Sequence, residues 1–214
     1  NIANNNYSVS GTMYAGLRGS VSFLLESRGT GSGNIMYGRR VVTHLVAATE
    51  LIDYAYENHT RLSALVASER QRIVENGATY EESDIIPLRI KNTAHPELNV
   101  QTVAYNTATG ESYDFVQKVV VADEAVRLRV APTAYVLPAE RWTQQVLKLM
   151  DRHGIQYTFL PKGSSVLLQQ YTGTTTEAAL TEEMAVTFSG GAYVFTMNQV
   201  GAMILANLLE PDVT

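Results

Sequence analysis

Two stretches near the start of the chain carry apolar residues at helical spacing. They predict a long amphipathic helix over residues 35–58 and a second helix over residues 60–75 that stops at Gly77. The positions on the shared side of the first helix are Val42, Leu45, Val46, Thr49, Ile52 and Tyr56. Before both helices, an apolar run at residues 20–25 lies beside glycines. This run predicts a short strand that is buried on both faces of an α/β sheet.

The spacing of apolar residues changes from helical to alternating near residue 84, after an acidic stretch at residues 80–84. Strands are predicted at residues 85–90, 100–105, 113–121, 126–137, 157–160, 166–171, 185–188 and 193–195. Residues 106–110, between the second and third of these strands, have the turn residues of a hairpin. A helix is predicted over residues 140–153, with Trp142, Val146 and Leu149 on one face, and another after a capping-box pattern at residues 196–199. The fold class is therefore α/β. We expect the tail of a doubly wound mixed sheet over residues 1–80, then a smaller α+β domain over residues 83–214.

Composition excludes several classes of partner. The chain has 214 residues with 45% hydrophobic and 17% charged residues, which is typical of a globular protein. A net charge of −5 argues against nucleic acid, because phosphate binding needs clustered Lys and Arg. No run of about 18 apolar residues predicts a membrane span. With no cysteine, thiolate zinc sites and disulfides are excluded. The chain begins at Asn1, so we expect it to be part of a longer product.

Glu26 is the first candidate for chemistry. It ends the predicted strand at residues 20–25, and open α/β sheets bind their ligands at the carboxyl ends of strands. A carboxylate in that position could act as a general base. The alternative is structural: Glu26 closes the strand and pairs with Arg28 or Arg18. Position alone leaves both interpretations open.

A longer pattern around Glu26 resembles a known family. Tyr7-Ser8-Val9-Ser10-Gly11 is followed by Glu26 at the end of an aromatic-containing apolar strand and by Arg28 two positions later. This order resembles the end of the catalytic domain of M14 zinc carboxypeptidases, over about the first 75 residues. The resemblance implies that Glu26 is the general base and proton shuttle. It also implies that Tyr7 donates a hydrogen bond to the substrate or tetrahedral intermediate and that Arg28 contributes to substrate binding.

The same resemblance implies a zinc cofactor and a peptide substrate, cleaved near its free carboxyl end. The family holds zinc with a His-x-x-Glu pair and a later histidine, which would lie upstream of this chain. None of the chain's four histidines has a glutamate three positions on; they are His44, His59, His95 and His153. We therefore expect no metal ligands in this chain, and a missing N-terminal half of the catalytic domain as its partner. The isolated chain is expected to be inactive, and a secreted or periplasmic location is favoured.

Three other interpretations stay open. The chain could be a non-catalytic binding or accessory module whose working part is the C-terminal domain, or part of a related zinc-dependent deacylase. The glycine-rich loop at residues 29–33 could bind an anion through backbone amides, but it has neither a dinucleotide nor a Walker fingerprint. Residues 131–138 and 191–195 also resemble the C-terminal extension of larger bacterial M14 proteins. They carry no predicted chemistry.

Overall fold

A computed structural model describes residues 11–27, 36–106, 108–173 and 178–211. Over these ranges the chain forms a mixed α/β structure with five α-helices and several small antiparallel sheets. The helices are α1 (Gly11–Leu17), α2 (Tyr37–Glu57), α3 (His59–Asn76), α4 (Thr143–Arg152) and α5 (Ala202–Leu209), with a short 3-10 helix at Pro96–Leu98. The predicted helices at residues 35–58 and 60–75 are confirmed as α2 and α3. The last helix begins at Ala202, so the capping box at residues 196–199 is wrong.

Eleven strands are described, and every pairing among them is antiparallel. They are β1 (Ile85–Ala94), β2 (Val100–Asn106), β3 (Glu111–Gln117), β4 (Val120–Val130), β5 (Ala134–Pro138), β6 (Thr158–Leu160), β7 (Ser164–Leu168), β8 (Tyr171–Thr172), β9 (Ala179–Leu180), β10 (Met184–Phe188) and β11 (Ala192–Thr196). They pair as β1–β4, β2–β3, β7–β10 and β8–β9, with β5–β11–β6 as a three-stranded sheet. The predicted hairpin around residues 106–110 is confirmed as β2–β3.

The predicted doubly wound sheet is not present in the described ranges, which contain no parallel strand pair. Its first predicted strand is also absent, because residues 20–27 have no regular secondary structure. A strand needs a neighbour to satisfy its backbone groups, and no described strand pairs with this run. The prediction of a smaller α+β region agrees better with the structure, because residues 85–211 combine short antiparallel sheets with α4 and α5.

The predicted strand at residues 126–137 is two strands. β4 pairs with β1, whereas β5 pairs with β11, and Pro132 lies in the break between them. Proline lacks the N–H that a continuous ladder would need. Beside it, Ala131 donates its N–H to the Asp84 carbonyl at 2.7 Å. The chain can therefore leave one sheet and enter another within three residues.

β6, β7, β10 and β11 form one bent two-stranded ribbon. Leu160 pairs with Ala192, and Ser164 pairs with Phe188. Both sides of the ribbon therefore have the same number of residues between these two pairs, and the pairing register is the same before and after the unpaired residues. Gly191 lies at the bend with φ +89°, a conformation that favours glycine. A Cβ there would lie 2.5 Å from Phe159 Cζ and 2.7 Å from the Leu160 carbonyl oxygen. Beyond this bend, β7 and β10 form a separate two-stranded sheet.

The core joins the three-stranded sheet to α4 and α5. Its fully buried members include Phe195 on β11, Met150 on α4 and Leu205 on α5. Tyr14 and Leu17 of α1 and Ile73 of α3 pack against the same cluster. Gly77, directly after α3, lies so close to the backbone around Met197 that a Cβ could not be accommodated. The boundary predicted near residue 80 stays a prediction, but the helices before it contact the core that follows it.

The apolar side of α2 is not covered by the described part of the chain. α2 forms as predicted, yet it has no buried residue. Leu45 is 63% exposed and Ile52 is 67% exposed, although both lie on the side predicted to face the core. The helix therefore presents an apolar surface of the kind that marks an interaction site.

Candidate functional site

Glu26 lies on the surface, in the extended segment of residues 20–27 that follows α1. Its side chain is exposed, and so are the apolar neighbours Phe23 at 63% and Leu24 at 70%. Tyr7 and Arg28, the two other predicted site residues, lie outside the described residues. Of the three predicted site residues, the structure therefore gives the position of Glu26 alone.

Hydrogen bonds near both ends hold the Glu26 segment against the neighbouring helices. At its start, Arg70 of α3 donates to the Ser20 hydroxyl at 3.0 Å and to the Arg18 carbonyl at 3.3 Å. At its end, Nε2 of His44 on α2 lies 3.1 Å from the Ser27 hydroxyl. Glu26 is thus placed next to α2, although the strand predicted to carry it has not formed.

The described residues do not fit a zinc site. They contain no group of three His, Asp or Glu side chains that could hold a metal ion. The four histidines contact other groups: His44 contacts Ser27, His59 contacts the Tyr56 carbonyl, His95 contacts Glu97 and His153 contacts Tyr14. Zinc is therefore implied by the resemblance alone, and the described part of the chain has no set of side chains that could bind it.

A second candidate site lies in the C-terminal region, in a cavity of about 1030 Å³ beside β5. Glu210, the residue after α5, forms part of its wall and is almost completely buried. Its carboxylate accepts hydrogen bonds from the Tyr135 hydroxyl at 2.6 Å and the Tyr171 hydroxyl at 2.5 Å. Arg129 Nε lies 3.3 Å from the same carboxylate. Buried charges need such partners, and these four side chains are called the Glu210 cluster below.

The Glu210 cluster connects four separate elements. Arg129 comes from β4, Tyr135 from β5 and Tyr171 from β8, and Glu210 follows α5. The Arg129 guanidinium also lies over the Tyr171 ring, 5.1 Å from its centroid. Because these residues are far apart in sequence, no spacing motif predicts the cluster. One available signal was a carboxylate directly after an almost wholly apolar helix.

Tyr135 provides a pH test of this cluster. Burial, and then the neighbouring Glu210 carboxylate, raise the pKa of the Tyr135 phenol well above its ordinary value. The folded protein therefore holds this proton more tightly than the unfolded chain, in which a tyrosine pKa is about 10. The stabilisation is complete below about pH 10 and is lost as the pH rises above that value.

We expect the free energy of unfolding to fall above about pH 10 in the natural protein, and to fall less in Tyr135→Phe. Urea unfolding between about pH 8 and about pH 11 measures the difference. Tyr113→Phe, at an exposed position on β3, is the matched control and should follow the natural protein. An identical alkaline decline in Tyr135→Phe would contradict the assignment.

A third feature is an apolar cavity of about 620 Å³ where α1, α3, β1 and α5 meet. Leu17, Leu65, Ile73, Ile86 and Met203 contribute to its wall. Glu69 and Arg72 also line it, but they pair with each other at 2.7 Å. Because its walls are mainly packing residues, this cavity offers no arrangement of groups for catalysis.

The comparisons with known proteins leave the resemblance as a sequence-based hypothesis. No protein-family model matches the chain, and no curated protein or solved structure matches it either. Among the described helices, none is both long enough and apolar enough to cross a membrane.

Proposed function

We propose that this chain carries the catalytic glutamate of an M14-type zinc metallocarboxypeptidase, and that polypeptide outside the chain supplies the metal ligands. One observation carries the proposal: Tyr7, the Ser10-Gly11 pair, Glu26 and Arg28 occur in the order typical of that family. Glu26 would accept a proton from water and return it to the leaving amine, which is general acid–base catalysis by one carboxylate. Tyr7 and Arg28 would bind the substrate.

The exposed surface around Glu26 supports this proposal. Phe23 and Leu24 before it, and Val42, Leu45 and Val46 on α2, all leave more than half of their surface uncovered. Contiguous apolar exposure of this kind marks a surface that another polypeptide covers. We infer that the upstream half of the catalytic domain packs here, gives residues 20–25 a strand neighbour and completes a cleft over Glu26.

Hydrolysis by a product that includes the upstream half tests the proposal. Intact mass and zinc content would first establish that the longer polypeptide is present and holds metal. A peptide with a free C-terminal carboxylate should then lose its last residue, whereas the same peptide with a C-terminal amide should be cleaved much more slowly. The isolated 214-residue chain should cleave neither.

Other outcomes would contradict the peptidase assignment. Equal cleavage of the carboxylate and amide peptides would show that the free C-terminus is not recognised. Removal of an acyl group from an amine, without peptide cleavage, would favour the related zinc-dependent deacylase. A metal-free product that cleaves none of these substrates would favour the accessory module.

A further inference from the structure

The cavity beside β5 lies along the free edge of a strand. Among the described strands, β5 is the outer strand of the sheet β5–β11–β6 and pairs on one side only. Every residue from 132 to 140 lines the cavity. A cavity over a face of the sheet would meet alternate residues, because successive side chains point to opposite faces. An unbroken run indicates that the cavity follows the backbone edge.

The ladder with β11 shows which backbone groups of β5 point into the cavity. Met197 donates its N–H to the Thr133 carbonyl, and Ala139 donates to the Gly191 carbonyl, each at 2.9 Å. The odd-numbered positions of β5 therefore bond to β11. Antiparallel ladders alternate, so the backbone groups of Ala134 and Val136 face away from β11. They are available to a further strand.

The free edge is short and has a defined end. The carbonyl of Pro138, the next outward position, accepts hydrogen bonds from Thr143 Oγ1 at 2.6 Å and from the Glu140 N–H at 2.9 Å. Pro138 also has no N–H to donate. The edge thus offers two outward-facing residues, Ala134 and Val136, before α4 closes it.

The opposite wall is formed by the bent ribbon and by the residues that lead from it into β8. Residues 167–171 and 186–191 line the cavity there, again as unbroken runs. The resulting groove has a volume of about 1030 Å³, at the upper end of the roughly 300–1000 Å³ that is usual for ligand pockets. An extended chain placed along β5 would therefore have the ribbon on its other side.

The charges that line the groove indicate which kind of peptide would bind in it. Among the described residues that line the groove, Glu140, Glu183 and Glu210 contribute three carboxylates, against the single guanidinium of Arg129. Arg129 and Glu210 face each other at 3.3 Å, which leaves Glu140 and Glu183 as the excess charge. Glu183 is exposed, and a cationic side chain would be attracted to it.

We propose that this groove binds an extended peptide segment that carries Lys or Arg side chains, and that the peptide adds as a strand to the free edge of β5. Main-chain hydrogen bonds to Ala134 and Val136 supply the attachment, and Glu183 supplies the preference for basic residues. Neither interaction involves Glu26, so this site is independent of the proposed peptidase chemistry.

Binding of an alternating valine–lysine peptide to the whole chain tests the proposal, with fluorescence anisotropy of the labelled peptide as the measurement. An alternating valine–glutamate peptide of the same length should bind much more weakly. N-methylation of the amides along one edge of the basic peptide should weaken its binding about tenfold, because two backbone hydrogen bonds are lost. Hydrogen exchange at the amide of Val136 should slow when the peptide binds.

Two charge reversals give a matched pair of variants. Glu183 lines the groove, whereas its neighbour Glu182 does not, and both are exposed. Glu183→Lys should weaken binding of the basic peptide about fivefold, and Glu182→Lys should change it much less. Glu26→Gln should leave the affinity unchanged, which separates failure of this proposal from failure of the proposed peptidase function.

Several results would overturn the peptide site. One is that the basic peptide does not bind at all, and another is that its N-methylated form binds as tightly as the unmodified peptide. A third is that Glu183→Lys and Glu182→Lys weaken binding by the same factor. Slow exchange at Val136 without peptide, together with a concentration-dependent dimer in sedimentation, would mean that a second copy of the chain occupies the edge instead.

Discussion

Glu26→Gln, made in the product that includes the upstream half of the catalytic domain, is expected to lower kcat by about 10²–10⁴-fold. Glutamine keeps the size and shape of the side chain but cannot take a proton from water at neutral pH. Glu26 is exposed and ends an extended segment, so the substitution removes no buried contact of the described structure. Steady-state hydrolysis of a peptide with a free C-terminus measures the effect.

Metal content and folding must stay unchanged for that loss to be assigned to proton transfer. The variant should retain its zinc, because the resemblance places the ligands outside this chain. Glu50→Gln is the matched control: it removes one exposed carboxylate on α2 and should retain full activity. Retained turnover in Glu26→Gln would refute the role of Glu26, and loss of zinc would show a structural effect.

Glu210→Gln is expected to destabilise the protein by about 3–5 kcal/mol. The Glu210 side chain is 1% exposed and the Arg129 side chain 15%, so the substitution removes one charge of a buried pair. The Arg129 guanidinium then stays buried without the carboxylate that it faces. The two tyrosine hydroxyls also lose a charged acceptor, and hydrogen bonds to charged groups are stronger than neutral ones.

Chemical denaturation at neutral pH measures this change. Natural domains have a free energy of unfolding of about 5–15 kcal/mol, so a loss of this size would leave a large unfolded fraction in a marginal protein. Glu183→Gln removes an exposed carboxylate from the same cavity wall and should change stability by less than about 0.5 kcal/mol. Similar effects of the two substitutions would contradict a structural role for the Glu210 cluster. Together with the Tyr135 pH test, the comparison of Glu210→Gln with Glu183→Gln distinguishes the contribution of the Glu210 cluster to stability from that of the other cavity residues.

Of the two candidate sites, only the one around Glu26 could be predicted from the sequence. Glu26 follows a local apolar run and belongs to an ordered local pattern, and both are visible in a single stretch of residues. The Glu210 cluster joins residues up to 81 positions apart, as in the Arg129–Glu210 pair. No local sequence pattern predicts a contact between such distant residues, because the contact depends on how the sheets and α5 pack together. The same holds for the free edge of β5.

Burial was also harder to predict than helix formation. For the helix at residues 140–153, the predicted apolar side contained Trp142, Val146 and Leu149. The structure begins this helix at Thr143 and buries Thr143, Leu147 and Met150. Both sets fit a helical period, and they differ by one residue, which is a rotation of about 100° about the helix axis. Contact with the sheet below selects one of them, through neighbours that are distant in the sequence.

The sequence by itself determined the local elements: α2 and α3 from their helical period, the β2–β3 hairpin from its turn residues, and the mixture of helix and strand after residue 84. Local elements depend on backbone preferences and on residues a few positions apart. Tertiary structure alone decided that residues 20–25 have no strand neighbour in the described part of the chain, that residues 126–137 divide between two sheets, and that Glu210 becomes buried. Each of these outcomes depends on whether a distant segment supplies a strand neighbour, a hydrogen-bond partner or a covering surface.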